Sequence, residues 1–412
     1  MAEFEPGTAT ATTRSLPRTE LAIMPHPPKK QPRRRASNPS RGIPPQTQAE
    51  LWGRAAGRCQ FPTCNKVVYL SESTSETVNV ADKAHIEPFA SKGPRGDGQP
   101  RSARIHGCDN LMLLCKGCHK TIDDPGTSGR YPESLLRNWK KEHEDRIRRV
   151  TGIKPSRKSN VVLYRGRIGA ITSEQQHPLA VDAMFEEGWF PHGDRPIELK
   201  MVSEFEDSTP EFWTTEAEHL RRRFNREIKP LIEEDRLLHF SVFALANQPL
   251  LVLLGSLFTD QVPAEVYQPH RNPHRWAWPA TSDSIDYQIR RPESYLDTAV
   301  LVLSLSATIA RGRIADAVHA PHSVWEIAIP APSPHFLTSK LQLTEFGKVI
   351  RKVVDDIRLS CPTAGQILVF PAMPAACAVE MGRVRLPKSD RPWRFFDQNN
   401  THNRFIEALT IS

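Results

Sequence analysis

Residues 82–88, D-K-A-H-I-E-P, and residues 110–123, N-L-M-L-L-C-K-G-C-H-K-T-I-D, decide how the N-terminal part of this chain folds. A histidine, His85, stands just before an I-x-P turn, and an asparagine, Asn110, precedes the apolar run 111–114. The next residues carry a second histidine and an aspartate, His119 and Asp123, spaced i, i+4. On a helix these two share a face. An imidazole and a carboxylate on one face can hold one divalent cation and leave positions open for a phosphate and a water. Hydrolysis of a phosphodiester needs a positioned water, a base, and positive charge near the leaving oxygen. His85 is the candidate base, because neutral imidazole is common near pH 7. The Asn110 amide could tie the loop before the strand, or its oxygen could reach the metal. Taken singly, a histidine before a turn is a surface residue and a His–Asp pair a solvated face; the combination is what points to chemistry.

Cysteines are woven through the same stretch. Cys59 and Cys64 form C-x4-C, and Cys115 and Cys118 form C-x2-C. Two close pairs separated by a long loop have the spacing of a tetrahedral structural zinc site. Disulfides or buried free thiols are the alternatives. Seven cysteines without a secretory signal favour a reducing compartment, which disfavours disulfides. Cys108, Cys361 and Cys377 have no such pairing and read as ordinary thiols.

On these residues, the stretch 52–147 resembles an HNH nuclease domain of the ββα-metal fold with a treble-clef-like zinc knuckle. The resemblance implies His85 as general base, Asn110 as the central asparagine and His119 as the final metal histidine. Asp123 falls where many members carry a second helix-borne ligand. The implied catalytic set is His85, Asn110 and His119. The implied ligands of a magnesium or other divalent ion are His119, Asp123 and Asn110. Many members place a metal-binding Asp or His directly before the base, and here that residue is Ala84. A subset carries A-H-I, so Asn110, Asp82 or waters are left to complete the shell.

The chain has 412 residues, and its charge is uneven. Residues 1–150 hold 25 Lys and Arg against 16 Asp and Glu, whereas residues 151–412 hold 30 against 31. The basic excess therefore accompanies the nuclease-like part, as phosphate-backbone binding requires. Residues 1–45 are rich in Pro, Arg, Ser and Thr and read as a disordered leader, in which Arg33, Arg34 and Arg35 could help hold DNA. A first domain is expected over 46–152. It holds strand-like runs at 67–70 and 78–85, and a basic loop at 91–106 offering Lys92, Arg95, Arg101 and Arg104 to a nucleic-acid backbone. A helix is expected over 131–150, with Leu135, Trp139, His143 and Ile147 facing inward. Residues 153–160 read as a linker.

From 161 onward strands and helices alternate. Strand-like runs occupy 161–168, 197–205, 239–246, 299–306, 324–329 and 366–370. Helical periodicity marks 211–234 and 341–359, and residues 250–258 fit a helix or an apolar strand. The alternation predicts an α/β domain with a largely parallel sheet, long enough for two Rossmann-like units, although no clean sequence repeat is visible. Ligands of such sheets bind where strands end and helices begin, which directs attention to Ser304, Ser306, Met373, Pro374 and Ala375. No P-loop or dinucleotide fingerprint is present, so the domain reads as a sensor rather than a second enzyme.

Residues 239–255, 274–279 (H-R-W-A-W-P) and 368–383 resemble a SAVED domain, a family built of two fused CARF-type units that recognises cyclic oligonucleotides of a bacterial antiphage synthase. HNH followed by SAVED is the layout of a CBASS effector nuclease. The resemblance implies a cytoplasmic bacterial enzyme, idle until a cyclic di- or trinucleotide binds. Binding would then drive a dimer or tetramer to cut double-stranded DNA. Within the sensor, Trp276 or Trp278 could stack on a base and Arg275 could pair with phosphate. Core anchoring is the alternative for both tryptophans. Ser306, Met373 and Ala375 follow from the strand-end argument. Two other functions fit the same sequence: an ungated HNH restriction-type endonuclease with a DNA-reading C-terminal domain, and a non-catalytic zinc module binding DNA or a partner.

Overall fold

The computed structural model describes residues 42–90, 95, 96, 98, 101–166, 173–234, 238–279, 283–399 and 404–412. Arg33, Arg34, Arg35 and Lys92 lie outside them. The chain divides into two compact units, Met1–Lys140 and Lys141–Ser412.

The first unit carries α1 (Pro45–Ala55), β1 (Ala81–His85), β2 (Leu111–Cys115) and α2 (Lys116–Asp123), and α3 (Glu133–Thr151) begins in it. Proline at the first helical position starts α1, where a missing N–H costs no hydrogen bond. β1 pairs antiparallel with β2, from Ala81 opposite Cys115 to His85 opposite Leu111. Leu111 to Leu114 are all buried, with α1 and α2 packed against their strand. Cys115 ends β2 and also caps α2, its Sγ accepting the Cys118 N–H at 3.5 Å. The core gathers Leu51, Val68, Ile86, Met112, Leu114, Ile122 and Leu136. The expected strand at 67–70 is reduced to isolated bridges, Arg58 with Val67 and Leu70 with Thr77. The compact unit extends into α3 as far as Lys140, and Leu136 and Trp139 of that helix pack on this core.

The second unit is α/β. Its first half holds β3 (Lys158–Arg165), α4 (Ser173–Glu186), β4 (Phe190–Pro191), β5 (Ile197–Lys200), α5 (Pro210–Glu227), α6 (Lys229–Glu234), β6 (Phe240–Leu245), α7 (Gln248–Phe258) and β7 (Ala264–Tyr267). These strands form a parallel sheet in the order β4-β3-β6-β7, with β5 also on β3. A short hairpin, β8 (His270–Arg271) with β9 (His274–Arg275), follows. The second half holds β10 (Gln288–Arg290), β11 (Ala299–Ser304), α8 (Arg311–Ala317), β12 (Ser323–Ala328), α9 (Lys340–Ser360), β13 (Ile367–Ala372), α10 (Ala375–Arg383), β14 (Trp393–Asn399) and β15 (Arg404–Ile411). Its sheet runs β10-β12-β11-β13-β14-β15, parallel in the middle and antiparallel at both edges. Residues 250–258 are helical, and Pro249 sits in the first turn of α7. The expected helix 211–234 is split at Ile228, because Pro230 lacks the N–H that would continue it. The helix α4 was not legible as a helix, with Pro178 inside it.

An internal repeat becomes visible once the elements are known. Shifting β6 and α7 by 127 positions (240 to 367, 248 to 375) superposes their starts on those of β13 and α10 without a gap. Val242, Phe243, Val252 and Gly255 then meet Val369, Phe370, Val379 and Gly382. The two helices pack on each other through the matched positions. A Cβ on Gly255 would lie 1.9 Å from the Val379 carbonyl oxygen, and one on Gly382 would lie 2.0 Å from the Val252 carbonyl oxygen. One apolar core runs through both halves. Each glycine lets backbone meet backbone, and any side chain forces the helices apart. Gly255→Ala and Gly382→Ala are each expected to destabilise the second unit by about 3 kcal/mol or more. Gly312→Ala in α8, where a Cβ meets nothing within 4 Å, leaves stability unchanged or slightly raised. Urea unfolding of the three variants checks this.

Candidate functional site

The ladder between β1 and β2 brings the chemistry-bearing residues of the first unit together. His119 projects from α2 between two carboxylates: its Nδ1 is 3.1 Å from Asp82 Oδ2, and its Nε2 is 3.2 Å from Asp123 Oδ2. The hydrogen bond that His119 donates to Asp123 is the main cause that raises the His119 pKa, with Asp82 adding to it against burial. Asp123 is partly buried, which opposes ionisation, yet His119 and Arg95 hold its carboxyl below the usual range. His85 goes the other way. Burial first, then the neighbouring His106 and His119, lower it to about 4, so it is a neutral imidazole at pH 7.

Arg95 binds these pieces to one another. Its Nε donates to Asp123 Oδ1 at 2.9 Å, and its two terminal nitrogens donate to the carbonyls of Ile86 at 2.8 Å and His85 at 2.7 Å. The expectation that it offers its charge to a nucleic-acid backbone is corrected here, since the guanidinium fork is committed inside the protein. Arg104 remains exposed, and Arg101 is half-buried with Nη2 on the Ala90 carbonyl at 3.3 Å. Asn110 is buried. Its Oδ1 accepts from Glu87 N at 2.7 Å and Arg137 Nη2 at 3.4 Å, and its Nδ2 donates to the carbonyls of Glu87 and Ile105. Of its two expected roles the geometry supports loop-tying. As a metal ligand it is corrected, because donors already occupy its oxygen.

The four paired cysteines converge. Their sulfurs all lie within 4.8 Å of one another, with Cys64 and Cys115 at 3.9 Å, and none is in a disulfide. A tetrahedral ion with metal–sulfur bonds of ~2.3 Å requires sulfurs about 3.8 Å apart, so this donor set fits such an ion. Burial pushes the Cys59 thiol up to about 12 and raises Cys118 as well. Cys115 is held below the usual thiol range despite burial, by the backbone N–H of Cys118 and the neighbouring thiols. The cluster sits at the start of α2, four residues before His119.

In the second unit, Trp276 and Trp278 are core residues, 2% and 7% exposed. Trp276 Nε1 donates to Gln176 Oε1 at 2.6 Å, and its ring meets Phe243 edge-on. Stacking on a base is therefore corrected for both: no ring face is left to solvent. Arg275, half-buried in β9, pairs with His270 across the hairpin. Ser306, Met373 and Ala375 do gather at the C-terminal strand ends. Ser306 N donates to the Ala372 carbonyl at 2.7 Å, and Met373 N donates to Gln248 Oε1 at 3.1 Å. Ala375 opens α10, whose Ala376 N donates to Gln268 Oε1 at 3.1 Å. The start of α7 is thus tied to the segment leading into α10, and the first turn of α10 to the residue after β7. Next to them lies a cleft of about 460 Å³, lined by Met201, Ser203, Phe205, Asn247, Gln248 and Asp397 among others. Sequence reasoning missed Asn247, Gln248 and Asp397. The strand-end rule would have found the first two, had residues 250–258 been assigned to a helix.

With this geometry established, comparison with known proteins gives one family. Residues 220–411 match SAVED, the SMODS-associated and fused to various effectors sensor domain. Among solved structures, the chain is similar to the Acinetobacter baumannii Cap4 SAVED/CARF-domain containing receptor with the cyclic trinucleotide 2'3'3'-cAAA. The identity is 11%, the TM-score 0.39, and the match covers 75% of this chain and 64% of the receptor. The Moraxella osloensis Cap4 SAVED/CARF-domain containing receptor is similar at 10% identity and a TM-score of 0.38, covering 68% and 60%. The chain spans less than two thirds of these receptors' length. No curated protein matches the sequence. Among the described residues, no helix is long and apolar enough to cross a membrane.

The cleft beside SAVED-matched Asp397 makes a pH prediction. Burial raises this carboxyl to about 6, opposed by the Asn247 amide at 3.5 Å. The folded state therefore holds the proton more tightly than the unfolded chain. Ionising it costs stability as pH rises from the ordinary carboxylate range through about 6. Asp397→Asn is expected to be more stable than the natural chain at pH 8 by on the order of 1–2 kcal/mol, and by about half as much at pH 5. Unfolding curves at the two pH values check it.

Proposed function

We propose that this chain is a metal-dependent double-stranded DNA endonuclease switched on by a cyclic oligonucleotide, acting in bacterial antiphage defence. The observation that carries the nuclease part is the placement of His119 between Asp82 and Asp123, with a neutral His85 on the adjoining strand. His119 Nε2 and the Asp123 carboxylate would suit a divalent ion such as magnesium, and Asp82, on the other ring nitrogen, would hold the imidazole in orientation. Such an ion, held by His119 and Asp123, would supply charge stabilisation at the phosphate.

The remaining steps belong to the chain's own residues. Neutral His85 takes the proton of the attacking water. Arg95 keeps the strand end of His85 in register with the Asp123 helix through its three hydrogen bonds. Asn110 holds the loop at Glu87 and Ile105, which fixes the turn that presents His85. The four cysteines hold a structural zinc that anchors the start of α2. The basic excess of residues 1–150 supports a phosphate backbone as partner.

The gating part rests on the SAVED match over residues 220–411. The proposed signal is a cyclic di- or trinucleotide bound at the strand ends around Ser306, Met373 and Ala375, with Arg275 of β9 as a phosphate partner. Binding would assemble a dimer or tetramer in the cytoplasm and bring nuclease units together on DNA.

Two measurements test the first unit. The purified protein is expected to contain one zinc per chain, and a Cys59→Ser, Cys115→Ser double variant to lose the zinc and the thermal transition of that unit. In the presence of the activating cyclic oligonucleotide, His85→Ala is expected to reduce magnesium-dependent plasmid cleavage by about 100- to 10,000-fold with its circular dichroism unchanged. Undiminished cleavage by that variant would remove His85 from the mechanism.

A further inference from the structure

Three rings meet at the end of β1. The centroids of His85 and His106 are 5.3 Å apart, and Phe89 lies 5.5 Å from the first and 5.4 Å from the second. Within this cluster His85 Nε2 is 3.2 Å from His106 Nδ1, a hydrogen-bond distance. His106 does not float on its loop. The residue before it, Ile105, is buried, and its carbonyl accepts from Asn110 Nδ2 at 3.0 Å. On the other side Gly107 N donates to the Arg104 carbonyl at 2.8 Å, and Asn110 N donates to the Gly107 carbonyl at 2.9 Å. The backbone on both sides of His106 is therefore fixed relative to Asn110, and Asn110 is fixed relative to the turn after His85.

A neutral imidazole has one N–H and one lone pair. Between His85 Nε2 and His106 Nδ1, one nitrogen must donate. If His106 donates, His85 uses its lone pair at Nε2 and carries its own proton on Nδ1, which leaves it unable to take another. If His85 Nε2–H donates, the lone pair of His85 is on Nδ1. Only this second arrangement lets His85 act as a base.

We propose that His106 is a positioning residue: its Nδ1 accepts the His85 Nε2–H, which fixes the tautomer of His85 so that Nδ1 receives the proton of the attacking water. The proposal rests on His85 being the base of the nuclease. Phe89, packed against both rings, restricts their rotation and keeps the two nitrogens facing each other. A histidine held by a neighbour at one nitrogen and working through the other is a recurring device for setting ring orientation.

The test uses the full chain labelled with ¹⁵N-histidine, free of added divalent ions, at pH 7. His85 is assigned by its absence in His85→Gln. The ring shifts are expected to show His85 protonated at Nε2 and unprotonated at Nδ1. In His106→Ala they should move toward a mixture of tautomers. In His106→Asn, whose amide oxygen can replace Nδ1 as acceptor, they should return toward the natural pattern. In cleavage assays with magnesium and the cyclic di- or trinucleotide that activates the natural chain, His106→Ala should lower kcat on the order of 10- to 100-fold with KM for DNA unchanged, and His106→Asn should recover most of it. A natural chain with His85 protonated at Nδ1 would overturn the proposal, whatever the variants do and whether or not they fold. So would a His85 tautomer indifferent to His106→Ala in a folded protein. The expected tautomer in a chain that cuts no DNA in magnesium with any cyclic di- or trinucleotide would instead overturn the assignment of His85 as base, and the catalytic role of His106 with it.

Discussion

The antiparallel register of β1 on β2 is the constraint on which the candidate active site depends. Five residue pairs, from Ala81 with Cys115 to His85 with Leu111, fix three things at once. They set Asp82 beside the first turns of α2, where His119 can reach it. They place His85 next to Asn110, whose amide locks the following turn. They also put Cys115 at the strand's end, where it closes the cysteine cluster and caps the helix. A slip of one residue would turn every side chain of β1 to the other face and separate Asp82 from His119. The buried run Leu111 to Leu114 holds the register, because its side chains fill the core and have no second way to do so.

The second unit relies on a different constraint. Its two halves meet through Gly255 and Gly382, each pressed against a backbone carbonyl of the other helix. The strand-to-helix turns of both halves are therefore held close, and the side-chain oxygens of Gln248 and Gln268 cross the gap to accept from Met373 N, just before the cap of α10, and from Ala376 N in its first turn. Farther along the same seam, Lys340 at the start of α9 pairs with Glu187 at 2.6 Å and Glu265 at 2.9 Å. A ligand at the strand ends would bear on both halves together, which is what a sensor built from two related units requires.

Much of the first unit was legible because its chemistry is local. The i, i+4 spacing of His119 and Asp123 and the two cysteine pairs are properties of short stretches, and the structure brings both sets together. Arg95 and His106 were not assigned their roles, and Asp82 was named only as one way to complete the metal shell, since each acts across a loop whose closure no short stretch reveals. Arg95 illustrates the difficulty: in a Gly- and Arg-rich loop it reads as a solvent-facing cation, yet three internal acceptors claim it. In the second unit, the parallel α/β architecture followed from alternating patterns. The repeat did not, because its two copies share a glycine and a few valine and phenylalanine positions while differing elsewhere. Trp276 and Trp278 were weighed as stacking platforms and are core anchors, a choice that only burial decides.

The central claim is that a nuclease unit and a sensor unit work as one switch. It is tested most directly by plasmid cleavage with the purified chain in magnesium, run without ligand and with each member of a panel of cyclic di- and trinucleotides. Cleavage confined to lanes containing one cyclic oligonucleotide is the expected result. Equal cleavage in every lane would contradict the switch, and the C-terminal unit would then need another function.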